Sequence, residues 1–315
     1  MLKSGLSTNL GPLELLNKVF IGAGAIKTVA QVELASQIND LKLILIGGYT
    51  IPTKPGNSGN VYYYDEKSHT SINSIGLANG GKDYLKKCLR TMVQIANDSG
   101  KMLGINVSGE TPEENTELIK MAIDDGVSYF EVNTACGNVM GGDERSKPIA
   151  CYNHTAMERT FEAMTHVKFD PNKHYKTFKV GKFLNFADID GLAKLHANFD
   201  VFDGVVTTNT EKSKILGSDG RPVIDPDKGF GGLGGEPLKR GALGQVSKWR
   251  EVLPIHKDVI GVGGIFNGAD IIDYENYGAS AMQYTTAYLL KGDPDRGAQS
   301  RMSVEYMDIY QKQFD

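Results

Sequence analysis

Asn133, Cys136 and Asn138, all within six positions, are the residues of this chain whose types and spacing first suggest chemistry. They come after a short apolar run, Val127 to Val132, that reads as a buried strand. A carboxamide donates and accepts at once, so a pair of them can grip a polar heterocycle by its edge. A thiol with an ordinary pKa of about 8.5 can take a proton as thiolate near neutrality. Most intracellular cysteines are inert core residues, and that reading is preferred for Cys88, inside a helix-like stretch, and for Cys151. For Cys136, bracketed by two asparagines past a strand end, the catalytic reading is preferred.

Eight short apolar runs could position such groups: Lys18–Ile21, Leu41–Ile46, Met102–Val107, Ser128–Val132, Thr177–Val180, Asp203–Thr207, Val259–Val262 and Ala281–Tyr284. Helix-like segments lie between them at Tyr84–Ala96, His154–Met164, Asp188–Ala197, Gly244–Leu253 and Ala269–Tyr277. Thr111-Pro-Glu-Glu opens another, with an N-cap, a proline at the first position and acids in the first turn. This alternation predicts an α/β chain folded as one (β/α)8 TIM barrel over residues 1–315, with its site at the C-terminal strand ends. Thr50–Asn73 and Leu216–Gly235 are too long for simple βα turns and read as lids or subunit-contact hairpins.

In such a barrel the residues just past each strand share one mouth. Gly22-Ala-Gly24 stands past the first strand, Gly47-Gly48 past the second, Asn133 and Cys136 past the fourth, Lys182 past the fifth, and Asn209-Thr210 past the sixth. Gly263-Gly264 and Thr285-Thr286 stand past the last two, where barrels commonly hold phosphate. Lys182, among Val180, Phe183 and Leu184, is hard to leave in solvent, whereas Lys27 and Lys54 read as surface residues that could still reach inward. Asn57 and Asn60 read as turn residues.

Composition removes other classes. A net charge of −4 gives no argument for nucleic acid or an anionic membrane, and no run approaches the length of a membrane span. Three cysteines in 315 residues are too few for a disulfide framework and suggest a reducing, cytoplasmic setting. The histidines show no metal-ligand spacing, so no metal is expected. Gly22-Ala-Gly24 begins like a dinucleotide fingerprint, but Lys27 occupies the third glycine position and no second strand ends in the required acid.

Four segments in order resemble the dihydroorotate dehydrogenase family, most closely its class 1A, cytosolic, homodimeric flavoproteins. Ser71-Ile-Asn-Ser-Ile-Gly-Leu-Ala-Asn-Gly80 is similar to an N-S-M-G-L-P-N-x-G loop, and Glu131 to Asn138 to E-L-N-L-S-C-P-N. Phe230-Gly-Gly-Leu-Gly-Gly235 and Gly261-Val-Gly-Gly-Ile265 resemble the segments that hold the flavin phosphate. The similarity runs from about Leu15 to Leu290. It implies FMN at the barrel mouth and oxidation of dihydroorotate to orotate, with reoxidation by a soluble acceptor such as fumarate. It also implies Cys136 as base, and Asn73, Asn133, Asn138, Asn209 and Thr210 around the pyrimidine with the Gly76 and Leu77 backbone. Asn133, Lys182, Gly234, Gly235, Gly263, Gly264, Thr285 and Thr286 would contact the cofactor, with Ala23, Gly24 and Gly47 beside it.

The chain departs from the family at Gly47, where a lysine is usual past the second strand, and in Ala135 and Gly137 beside the cysteine. Val139–Pro148 is also longer than usual, and the first strand lacks the family's Asn-Pro. Two alternatives stay open on those grounds: an FMN oxidoreductase for another dihydropyrimidine or small enoate, and a non-catalytic FMN-binding sensor.

Overall fold

A computed structural model describes residues 5–135, 149–290 and 294–312. Its frame is eight parallel strands: β1 (Val19–Ile21), β2 (Leu43–Tyr49), β3 (Met102–Val107), β4 (Tyr129–Asn133), β5 (Tyr175–Val180), β6 (Gly204–Thr207), β7 (Asp258–Val262) and β8 (Ala281–Tyr284). They are paired in the order β1-β8-β7-β6-β5-β4-β3-β2. The seam between β1 and β2 is bridged by the Gly24 N–H to the Gly47 carbonyl at 2.7 Å and the Gly47 N–H to the Ile26 carbonyl at 2.9 Å. The result is a (β/α)8 TIM barrel. Each strand expected from sequence is present, but β2 runs on through Gly47-Gly48 to Tyr49, with a register shift between Ile46 and Tyr49.

Helices α1 (Val29–Ser36), α2 (Gly81–Asp98), α3 (Pro112–Asp124), α4 (His154–Thr165), α5 (Phe186–Phe199), α6 (Lys239–Val252) and α7 (Gly268–Asn276) lie between the strands, and α8 (Ala298–Gln311) closes the chain against α7. Thr111 caps α3 as its sequence indicates, accepting from the Glu114 N–H at 3.3 Å. Sequence reading missed α1 and α8. In α1, a short segment carrying β-branched valines, only Val32 and Ala35 are buried, so its apolar stripe is faint.

Both long insertions form one structure. Tyr62–Asp65, Thr70–Asn73, Phe230–Gly235 and Glu211–Lys214 make a four-stranded antiparallel sheet, in which Gly232 pairs with Asn73 and Gly235 with Thr70. At the opposite end the hairpin Thr8–Leu10/Leu13–Leu15 buries Leu10, Leu13 and Leu15, and its Gly11 lies against the Tyr175 ring. Among the described residues no helix is long and apolar enough to cross a membrane.

Candidate active site

Side chains two apart on a strand share a face, so each barrel strand carries a column of inward residues from floor to mouth. On β4 the column is Tyr129, Glu131, Asn133; on β5 it is Tyr175, Thr177, Lys179. The floor is aromatic: Phe20 meets Tyr129 edge-on at 5.7 Å, and Tyr129 stacks on Tyr175 at 5.8 Å. Above it lies a buried polar layer. The Glu131 carboxylate, fully buried, accepts from Asn106 Nδ2 and from Gln283 Nε2, each at 2.6 Å. Lys179 Nζ stands 3.7 Å from Glu131 Oε1 and donates to Gln283 Oε1 at 3.2 Å. A buried carboxylate is tolerated only with such partners.

A cavity of about 610 Å³ opens above this layer, walled by the barrel mouth and the four-stranded sheet. Asn73, Gly76, Leu77, Asn133, Asn209 and Thr210 all line it. Asn133 and Asn209 touch, the Asn209 Nδ2 donating to Asn133 Oδ1 at 3.3 Å, although they lie on β4 and just past β6. Asn73 donates to the Gly232 carbonyl at 3.2 Å across the inserted sheet. Asn57 is no simple turn residue. Its Nδ2 holds the Ser74 carbonyl at 2.8 Å and its backbone N–H holds that of Ile75 at 3.0 Å, fixing the loop that presents Gly76 and Leu77.

The lysines are arranged differently from the sequence expectation. Lys182 lines the cavity only at its rim, half-exposed and paired with Glu211 at 3.0 Å, and its neighbour Leu184 is 96% exposed. The deep cation is Lys179, which is 6% exposed and also on the cavity wall. The signal was available, since a lysine on the inward face of a barrel strand must meet the interior. Lys54 pairs outward with Glu110 at 2.9 Å, whereas Lys27 lines the cavity.

Ala23, Gly24, Gly234, Gly235, Gly263, Gly264, Thr285 and Thr286 line the other side. Glycine is required at several of these places. A Cβ on Gly234 would come within 2.8 Å of Ser71 Oγ, and one on Gly264, at φ +68°, within 2.7 Å of Lys239 Cβ. Thr286 Oγ1 bonds Ser71 Oγ at 2.9 Å, and the Tyr274 hydroxyl donates to the Gly263 carbonyl at 2.6 Å, fixing that turn from behind.

Gly47 lies behind the wall, and Gly48 takes its place on the cavity surface. At φ +119°, a Cβ on Gly47 would fall 2.3 Å from the Asn106 carbonyl oxygen. No side chain fits there on this backbone. Cys136 and Asn138 lie outside the described residues; Ala135 and Ile149, on either side of that segment, both line the cavity. Cys151 is buried, and burial pushes its thiol up to about 12, which keeps it protonated and consistent with an inert role.

Comparison with known proteins identifies the family. The sequence pattern of the dihydroorotate dehydrogenases matches residues 5–295. The chain belongs to the dihydroorotate dehydrogenase family. Its members are oxidoreductases acting on a CH–CH group. A relative from Desulforamulus reducens, a dihydroorotate dehydrogenase B (NAD(+)) catalytic subunit, is 27% identical over 91% of this chain and 88% of its own length. A dihydroorotate dehydrogenase (fumarate) from Trypanosoma cruzi is 29% identical over 76% of this chain and 73% of its own. The fold is shared with a DHODH from Eimeria tenella solved with ferulenol, at a TM-score of 0.79 and 19% identity, covering 99% of this chain and 87% of that one.

Members of this family are flavoproteins, and the residues present fit FMN. Asn106 Oδ1 is buried on the cavity wall with no hydrogen-bond partner among the described residues, an acceptor suited to a ring N–H. On the glycine and threonine side the backbone at Gly234, Gly235 and Gly264 is packed so closely on Ser71, His69 and Lys239 that no Cβ fits, which leaves bare backbone and the Thr285 and Thr286 hydroxyls on the cavity surface, groups suited to a phosphate. Asn106, Lys179 and Gln283 were missed from sequence because they lie inside strands, whereas the sequence reading took its candidates from positions just past them.

Proposed function

We propose that this chain oxidises dihydroorotate to orotate with FMN held in the barrel mouth. The observation that carries the reading is the convergence of Asn73, Asn133 and Asn209 on one cavity above the buried Lys179–Glu131 pair. Bound FMN would supply a two-electron acceptor for the hydride that leaves C6 of the substrate. The asparagine amides match a ring edge that alternates C=O and N–H and fix the pyrimidine plane. Lys179 would place positive charge beneath the site, favouring negative charge that develops there. Gly234, Gly235, Gly263, Gly264, Thr285 and Thr286 would hold the cofactor's phosphate.

Cys136 is the base in this reading: its thiolate takes the C5 proton as the C5–C6 double bond forms. Support comes from the two residues that flank its segment, Ala135 and Ile149, both on the cavity wall. Replacing Cys136 by Ser should slow reduction of bound flavin by dihydroorotate about 10²–10⁴-fold, the usual worth of a positioned base, while FMN stays bound. An undiminished rate in stopped flow would remove Cys136 from the mechanism.

Fumarate, a soluble acceptor, completes turnover at the same cavity in this reading, in a cytoplasmic homodimer. A second acceptor is favoured by one observation: relatives aligned over nine-tenths of this chain are named catalytic subunits of NAD(+)-type enzymes. On that reading a partner subunit carries the electrons away. Reoxidation of the isolated, reduced chain by fumarate distinguishes the two.

A further inference from the structure

The buried layer beneath the cavity has a direction, and Glu131 sets it. A carboxylate can only accept hydrogen bonds, whereas a carboxamide points its oxygen one way and its nitrogen the other. Glu131 comes from the middle of β4 and is fully buried. One of its oxygens takes Asn106 Nδ2 from β3, and the other takes Gln283 Nε2 from β8, each at 2.6 Å. With both nitrogens drawn to the carboxylate, both amide oxygens face away from it. The Gln283 oxygen then accepts from Lys179 Nζ at 3.2 Å, steadying an ammonium that stands 3.7 Å from Glu131 Oε1. The Tyr129 hydroxyl, 3.4 Å from Glu131 Oε2, closes the carboxylate on its floor side. The Asn106 oxygen is left buried with no partner among the described residues, on a side chain that lines the cavity. Gly48, also on the cavity wall, leaves the space beside it open: a Cβ there would lie 2.7 Å from Asn106 Oδ1.

We propose that Glu131 is a positioning residue for the flavin: by holding Asn106 Nδ2 it turns Asn106 Oδ1 to the cavity, where that oxygen accepts the ring N–H of oxidised FMN. This rests on the reading that the cavity holds FMN, and it gives Glu131 a task beyond balancing the Lys179 charge. An asparagine without such a partner can present either end of its amide, and its nitrogen would oppose a ring N–H donor to donor. Leaving a buried oxygen unpartnered is costly, and a ring N–H relieves that cost on binding.

The test loads the full-length protein, stripped of flavin, with FMN or with FMN methylated at N3, which lacks the ring N–H. Affinities come from quenching of flavin fluorescence, with Tm measured for every variant. The parent should prefer FMN about tenfold or more, since the methylated flavin leaves a buried acceptor unmet. Glu131→Gln keeps the shape of the side chain but gives it an amide nitrogen, so Asn106 turns its oxygen inward to accept from it. Gln283 does not turn instead, because its oxygen is held by Lys179. Glu131→Gln should therefore bind FMN about 10- to 100-fold more weakly, bind the methylated flavin as the parent does, and lose the preference. Adding Asn106→Asp, a carboxylate that accepts on both sides, should restore the preference in the double variant. Asn106→Leu, which leaves Glu131 with Lys179 and Gln283, should lose it as well, and serves where Glu131→Gln fails to fold. A Glu131→Gln or Asn106→Leu protein that keeps the parent's preference would overturn the proposal. So would equal weakening of both flavins, which is what a purely structural role predicts, or a parent that binds the two flavins alike. A parent that takes up neither flavin would instead overturn the FMN reading on which the proposal stands.

Discussion

The two sides of the cavity differ in how they are built. On the β7–β8 side the backbone makes the site: Gly234, Gly235, Gly263 and Gly264 form a cradle that Tyr274 and Ser71 brace from behind. On the β1–β2 side the site depends on side chains that come from unexpected places. Gly47 is sealed by the Asn106 carbonyl and Lys27 lines the cavity from a loop, while across the barrel, on β5, Lys179 rises from the buried layer. A backbone site is tied to its glycines. A charge can be delivered to one point from several neighbouring strands, so its source can shift while the chemistry stays.

The sharpest way to break this contrast is at the floor. Lys179→Met should cost about 3–5 kcal/mol of stability, because it leaves Glu131 buried without its cation. Urea unfolding and flavin content measure that together, and a stable variant with full FMN would show that Lys179 is neither structural nor a cofactor contact. Gly47→Lys, which would restore the family residue, should instead destabilise by roughly 3 kcal/mol through a blocked Cβ at positive φ. A folded Gly47→Lys variant that binds orotate more tightly would mean that β2 can shift and that the seam is not closed to side chains. The smallest effect belongs to the backbone side. Thr286→Val removes one hydroxyl from the Ser71 pair and should weaken FMN by about 0.5–1.5 kcal/mol, or up to tenfold, as read by fluorescence titration. A complete loss of FMN there would place more of the phosphate site in side chains than the glycine cradle suggests.

Much of the barrel was legible because its strands are short apolar runs between helices, and parallel strands buried on both faces must be written that way. The mouth residues were legible where a polar side chain directly ends such a run, as at Asn133 and Asn209. Lys179 was hidden by the same logic, since a lysine inside an apolar strand looks like an interruption unless its inward register is counted. Gly47 was misplaced because a glycine pair reads as a strand end, whereas here β2 continues through it with a shifted register. The pairing of the two long insertions into one sheet joins residues about 160 apart and leaves no local trace. Helix α1 escaped because its buried face is only Val32 and Ala35.

The measurement that bears most directly on the function is an anaerobic one. The purified, FMN-loaded protein is mixed with dihydroorotate and the flavin absorbance is tracked, with dithionite added at the end as the reference for full reduction. Bleaching by dihydroorotate to the dithionite level is the expected result, with orotate formed in equal amount. A flavin that stays oxidised with dihydroorotate, yet is bleached by dithionite, would contradict dihydroorotate as the substrate of this cavity.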